Sequence, residues 1–217
     1  MKKHKAVIFD LNGVIINDER IHQESWRQLC KKYNLNLTEE EFKQKVFGRT
    51  EADVLEYLFH RKLNEDEINK YSAERVKIAM NIFRPKMALT TGLKNFLDDL
   101  QSNIVPVAIA TSSRVPYTNF ILDGLEIRKY FSIVVTAEEI EKGKPDPEIY
   151  LSASKKLMAD PNACVVFEDS VSGIKSGKAA GMYVVAITTT HGEDELLMAD
   201  KIINSFNEVS AANLNLI

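Results

Sequence analysis

The sequence predicts an α/β fold: a doubly wound, parallel, Rossmann-like sheet with an inserted all-helical domain. Three observations lead there. Short runs rich in Val and Ile recur along the chain and are continuous rather than alternating, as in strands buried on both faces. Segments with apolar residues at helical spacing lie between most of them, and repeated strand–helix–strand order builds a parallel sheet covered by helices. One long interval, after the first run, carries helical periodicity only.

The first run is Ala6–Phe9, and the next, Val105–Ala110, begins about ninety-five residues later. Nothing between Asp18 and Phe83 reads as a buried strand. Amphipathic stretches at Ile21–Tyr33, Thr38–Val46, Glu51–Leu58 and Asp66–Ile82 read as helices, with start signals in Thr38/Glu41 and Thr50/Asp53. Pro85 discourages further helix. Residues 17–87 are therefore expected to form a separate helical domain, and residues 1–16 and 88–217 the α/β domain. In the latter, Gly92–Gln101 sets Leu93, Phe96, Leu97 and Leu100 on one helical face. The runs Val105–Ala110 and Ile133–Thr136 follow. Asp146–Leu157 is helical by the spacing of Ile149, Tyr150, Ala153 and Leu157. Val165–Phe167 is the fourth run. Ser172–Ala180 is a short helix stopped by Gly181, and Tyr183–Thr188 is the fifth run.

Charge narrows the class of partner. Lys and Arg number 28 against 31 Asp and Glu, a net charge of −3, which leaves no whole-chain basic footprint for nucleic acid. No stretch approaches the ~18 apolar residues of a membrane span. The run after Lys2, Lys3 and Lys5 stops at Asp10, too short for a signal-peptide core. Cys30 and Cys164, 134 positions apart, make neither a disulfide framework nor a metal motif. The expectation is a cytoplasmic protein with a small-molecule partner and no membrane or nucleic-acid partner. Its oligomeric state is left open, and a monomer is compatible with the sequence.

In an open α/β sheet, ligands bind at the carboxyl ends of the strands. Asp10-Leu11-Asn12-Gly13 follows the first run, Thr111-Ser112-Ser113-Arg114 the second and Glu168-Asp169-Ser170 the fourth; Lys142-Gly143-Lys144-Pro145-Asp146-Pro147 precedes a helix. The rim so formed gathers three carboxylates, several hydroxyls and a lysine. Clustered carboxylates call for a hard cation such as Mg²⁺, lysine and hydroxyl donors suit a phosphoryl group, and a carboxylate can itself be the nucleophile. The set reads as a phosphoryl-transfer site. Simpler roles compete at each position: a turn at Asp10 and Asn12-Gly13, a helix N-cap at Thr111–Ser113 or Glu168–Asp169, a solvated loop lysine at Lys144, a loop residue at His191, and domain packing at Trp26.

Phe9-Asp10-x-Asn12-Gly13-Val14, Thr111-Ser112-Ser113, Gly143-Lys144-Pro145-Asp146-Pro147 and Glu168-Asp169-Ser170-x-x-Gly173, in that order, resemble the haloacid dehalogenase superfamily. Within it, the chain is similar to the beta-phosphoglucomutase-like subfamily, whose helical cap follows the first strand. The resemblance implies an Mg²⁺-dependent phosphatase of small phosphorylated metabolites, phosphosugars foremost, working through an aspartyl-phosphate. It implies Asp10 as nucleophile and metal ligand, Thr111 as a hydrogen-bond donor to the phosphoryl oxygens, and Lys144 as the neutralising cation. It implies Asp169 as a metal ligand, Glu168 beside it either as a further ligand or directly behind the ligands, and the Asn12 main-chain carbonyl as another. His22 and Arg49 resemble residues that meet substrate when the cap closes; Ser112, Ser113 and Arg114 are the corresponding contacts from the core.

Asn12 departs from the pattern. Phosphatases and mutases of the family usually have Asp two residues after the nucleophile, where it protonates the leaving oxygen, a contribution of roughly 10²–10⁴-fold. An amide does not supply it. Three readings stay open: an introduced Asp-to-Asn change, a natural enzyme that is slow or uses leaving groups needing little protonation, or deamidation at the Asn–Gly pair. A sugar-phosphate mutase and a weakened phospholigand-binding protein are the alternatives to a phosphatase. Arg49 directly after Gly48, and Val115 after Arg114, both differ from the sugar-phosphate mutases.

Overall fold

Among the described residues, six parallel strands form one sheet. They are β1 (Ala6–Phe9), β2 (Val107–Ala110), β3 (Ile133–Val135), β4 (Cys164–Glu168), β5 (Tyr183–Ile187) and β6 (Lys201–Ile203). Their order is β3-β2-β1-β4-β5-β6. The chain direction across the sheet reverses between β1 and β4, the switch point where ligands bind in such sheets. The computed structural model describes residues 5–46 and 51–215.

The sheet is apolar on both faces because both are covered. On one face Ala6, Ile8, Cys164 and Val166 pack with Ile149, Tyr150 and Ala153 of α7 (Glu148–Lys156) and Ile174 of α8 (Val171–Ala179). On the other, Phe9 stacks on Phe167 with ring centroids 5.0 Å apart. Phe96 of α5 (Leu93–Ser102) and Phe206 close over that pair at 5.4 and 5.1 Å from the Phe167 ring. The stop at Gly181 has a physical basis: it takes φ +76° directly after α8, and the Met182 N–H returns to the Gly177 carbonyl.

Two compact units result, Met1–Asn17 with Met87–Ile217 and Asp18–Lys86. The second holds α1 (Glu19–Lys32), the three-residue α2 (Glu39–Glu41), α3 (Glu51–Phe59) and α4 (Glu65–Phe83). Its core gathers Trp26, Leu29, Phe42, Leu55, Leu58 and Tyr71, so Trp26 is a packing residue. Capping boxes start α2 at Thr38/Glu41 and α4 at Asn64/Glu67.

The structure departs from the expected elements in four places. The stretch Thr38–Val46 is not one helix: after α2, residues Phe42–Val46 form a wider π-helical turn with both end residues buried. A helix absent from the reading, α6 (Val115–Gly124), buries Tyr117, Thr118, Ile121 and Leu122, and its start is marked by Pro116. The sixth strand, β6, is three residues long and begins with Lys, too short and too polar for the run criterion. The second strand begins at Val107 rather than Val105. The start signal at Thr50 lies outside the described residues. Among the described residues, no helix is long and apolar enough to cross a membrane.

Each unit carries one buried cysteine, Cys30 in the helical unit and Cys164 in the sheet. Burial pushes both thiols up to about 11, so little thiolate forms near neutrality. Native protein at pH 8 is expected to resist a disulfide-exchange reagent at both positions. In denaturant both react. Mass-resolved labelling through a denaturant series then reports the opening of each unit separately; rapid labelling of the native chain would contradict this account.

Candidate active site

Strand alternation sets the site before any loop is considered. Side chains two apart share a face, so Glu168 extends the row of Cys164 and Val166 and turns its carboxylate into the interior below α7. Its side chain is 1% exposed. A carboxylate there needs compensation, and five donors provide it. Oε1 accepts from Lys144 Nζ at 2.6 Å and from the Tyr150 hydroxyl at 2.7 Å. Oε2 accepts from the Asp169 and Ser170 N–H groups and the Ser170 hydroxyl, each at 3.0 Å. A Cβ built on Gly173 would fall 1.7 Å from Oε1, so any larger residue there meets this carboxylate.

Lys144 bridges two strands. Its Nζ also donates to Asp10 Oδ1 at 2.5 Å and lies 5.0 Å from the centre of the Tyr150 ring. Asp10 stands one residue beyond β1, where its N–H still bonds the Phe167 carbonyl. The loop that delivers Lys144 is held at both ends. The Glu148 carboxylate accepts from the Glu141 and Lys142 N–H groups, and Ser176 of α8 donates to the Asp146 carbonyl at 2.6 Å. The Lys144–Pro145 peptide is cis. Burial disfavours charge on Lys144, yet the Asp10 and Glu168 carboxylates hold its pKa well above the usual lysine value. Burial likewise opposes charge on Glu168, and the Lys144 ammonium with its hydrogen bond outweighs that, keeping the carboxyl below the ordinary range. Tyr150 is held neutral by burial and by Glu168.

Asp169 packs against the loop after β1: a Cβ on Gly13, which has φ +75°, would fall 1.9 Å from Asp169 Oδ2. Thr190 donates to that same oxygen, Thr189 donates to the Gly13 carbonyl, and His191 Nδ1 lies 3.0 Å from the Asp169 carbonyl oxygen. Burial and the Glu168 and Asp10 carboxylates push Asp169 well above the usual carboxylate range. Beside it, Ser113 donates to Asn12 Oδ1 at 2.6 Å, and the Ser113 N–H donates to Thr111 Oγ1 at 3.0 Å. The helix caps belong to other residues than those considered. Ser170 caps α8 through its bond from the Gly173 N–H, and Arg114 stands at the N-cap of α6 without a side-chain cap bond. Ser112 and Arg114 are exposed.

The core motifs thus meet: Asp10, Asn12, Thr111, Ser113, Lys144, Glu168 and Asp169 form one linked set. Both oxygens of Glu168, one of the expected metal ligands, take donors in this structure. Arg49 lies outside the described residues. His22 belongs to the helical unit. Its Nε2 lies 2.9 Å from Asp18 Oδ2 and its Nδ1 3.0 Å from Arg75 Nη1. Arg75 also donates to Glu51 at 2.7 Å and lies 5.0 Å from the centre of the Trp26 ring. Tyr150 reads as an apolar helix residue in the sequence, and Thr190 lies in a stretch after the fifth run that reads as loop. In the helical unit, Asp18 and Arg75 carry no motif.

The donor set fits Mg²⁺. Among the described residues, no three His, Cys, Asp or Glu side chains form a ligand group by themselves. Mg²⁺ does not require one, since it takes one or two carboxylates and completes its shell with carbonyl, phosphate and water oxygens. Three buried carboxylates facing one ammonium also leave negative charge for a cation to balance. A cavity of about 290 Å³ beside Leu97, Gln101, Ile104 and Tyr130 lies at the amino end of β2, and no rim residue lines it.

Comparison with known proteins adds an independent line. A family model described as haloacid dehalogenase-like hydrolase matches residues 7–187. The validoxylamine A 7'-phosphate phosphatase of Streptomyces hygroscopicus subsp. limoneus is 30% identical over 210 residues, 95% of this chain and 96% of that protein. A phosphorylated carbohydrates phosphatase of Thermotoga maritima is 29% identical over 215 residues, 94% of this chain and 99% of that one. The crystal structure of a HAD hydrolase, family IA, variant 3, from Entamoeba histolytica superimposes with a TM-score of 0.90 at 31% identity, covering 97% of each chain.

Removing the shared cation tests the arrangement. Lys144→Met is expected to cost about 3–5 kcal/mol at pH 7, because it strands buried carboxylates. The sign with pH follows from Glu168. In the parent its folded pKa is lowered, so its contribution is present above the unfolded carboxylate pKa and fades as pH falls through the folded one. In the variant the ammonium that outweighs burial is gone, burial is opposed only by the Tyr150 and Ser170 hydrogen bonds, and the carboxyl rises, so stability falls as pH rises. The deficit measured by urea unfolding should therefore narrow as pH drops toward about 4. A deficit independent of pH would refute the assignment.

Proposed function

The chain belongs to the haloacid dehalogenase-like hydrolase family, and we propose that it is a phosphatase of small phosphorylated metabolites acting through an aspartyl-phosphate at Asp10. The observation that carries the reading is the buried ammonium of Lys144 shared between Asp10 and Glu168. A nucleophilic carboxylate must be ionised and aimed, and it must approach a phosphoryl group that is itself negative. One fixed cation at the nucleophile serves all three needs in a site shielded from water.

In this reading Asp10, Asp169 and the main-chain carbonyl of Asn12 hold Mg²⁺, which supplies positive charge beside the phosphoryl oxygens. Thr111, with Ser112, Ser113 and Arg114 on the same rim, binds the transferring group. Lys144 keeps Asp10 charged and oriented. Glu168 acts through Lys144: it fixes the ammonium and touches neither cation nor substrate. Thr190 and Gly13 hold Asp169 in place. Phosphosugars are the first substrates to test, since relatives named for phosphorylated carbohydrates support that class.

The test is Mg²⁺-dependent phosphate release from a phosphosugar panel, with mass analysis of quenched protein. The expected result is phosphate release together with a protein species one phosphoryl group heavier, both abolished by Asp10→Ala. A sugar-phosphate isomer formed without stoichiometric phosphate would identify a mutase instead. A rise in Tm with phospholigand but no turnover would identify a binding protein.

A further inference from the structure

The rim is rich in fixed charge. Lys144 gives two of its three N–H bonds to Asp10 and Glu168. The Tyr150 hydroxyl is buried and committed to Glu168. Position 12, beside the nucleophile, carries an amide, and an amide does not transfer a proton at neutral pH. The Ser113 hydroxyl donates to Asn12 Oδ1, which orients that amide. Asn12 can therefore stabilise an oxygen by donating a hydrogen bond without protonating it.

We infer that this enzyme selects its phosphoryl donor by leaving group, favouring acyl phosphates, whose leaving group departs as a stable carboxylate, over alkyl phosphates such as phosphosugars. The inference rests on the aspartyl-phosphate reading and narrows it. In the first step an Asp10 oxygen forms a bond to phosphorus. The bond from phosphorus to the donor oxygen breaks, and its electron pair leaves on the carboxylate, so no proton moves. With a phosphosugar the same step would expel an alkoxide, which needs a proton that the Asn12 amide does not supply. In the second step water attacks phosphorus and the bond to Asp10 breaks with its electron pair returning to the carboxylate. Both water protons stay on the inorganic phosphate.

The test is single-turnover release of the leaving group from the full chain with saturating Mg²⁺. The donors are acetyl phosphate, aryl phosphates of graded leaving-group acidity, and a hexose 6-phosphate. Release should slow steeply as the leaving group becomes more basic. Acetyl phosphate should exceed the hexose phosphate by at least the ~10²-fold that a missing general acid costs. In Asn12→Asp the series should flatten, with the hexose-phosphate rate rising roughly 10²–10⁴-fold. The series on the parent chain stands without the variant, so a folding defect in Asn12→Asp does not affect the test. Phosphoryl label on Asp10 with a flat series overturns this inference alone. No release from any donor and no label on Asp10 overturns the aspartyl-phosphate reading with it.

Discussion

The ammonium of Lys144, buried between Asp10 and Glu168, is the interaction on which the rest of the site depends. It ties the loop before α7 to the ends of β1 and β4, the two strands that flank the switch point of the sheet. Without it, strand alternation would leave Glu168 charged in an apolar layer beneath α7. With it, a carboxylate that would be a folding liability becomes the anchor that aims an ammonium at Asp10. Stability and chemistry draw on the same contact, because an ion pair taken out of water is costly to break and strong where it acts.

The surrounding structure serves to hold that ammonium still. Glu148 gathers the loop from one side and Ser176 from the other, while the Tyr150 hydroxyl fills the remaining lone pair on Glu168 Oε1. Two glycines make room for the carboxylates. Gly13 allows Asp169 to lie against the loop after β1, and Gly173 lets Glu168 pass under the start of α8. On the far face of the sheet, the stacked Phe9 and Phe167 rings lock β1 to β4 one residue before each strand's carboxylate.

Asn12 gives the site its particular character. In the proposed reading its neighbours serve phosphoryl transfer, yet the residue two positions after Asp10 is an amide held by Ser113. An oriented amide can recognise a phosphoryl or leaving-group oxygen, but its nitrogen is not a proton source. In the helical unit, each ring nitrogen of His22 has a partner in Asp18 or Arg75. The rim of the sheet is rich in fixed charge and hydrogen-bond donors, and in the proposed reading its selectivity follows from how well a leaving group carries its own electrons.

Much of this was written locally. Continuous apolar runs required strands covered on both faces, the helical spacings required the covering layers, and the polar tripeptides after those runs located the carboxyl rim. These properties depend on residues a few positions apart, and periodicity and turn chemistry act over that range. β6 and α6 were missed for a related reason: a three-residue strand has too little pattern to read, and the α6 face mixes Thr118 with its apolar residues. What only the tertiary structure decided are contacts between distant residues: Lys144 with Glu168, 24 positions apart, Thr190 with Asp169, 21 apart, and Arg75 with His22, 53 apart. The resemblance sets Asp169 as the metal ligand with Glu168 beside it, but the sequence holds no physical reason for the difference. Alternation turns Glu168 inward to Lys144 and leaves Asp169 against Gly13, and that difference exists only once β4 lies between its partners in the sheet.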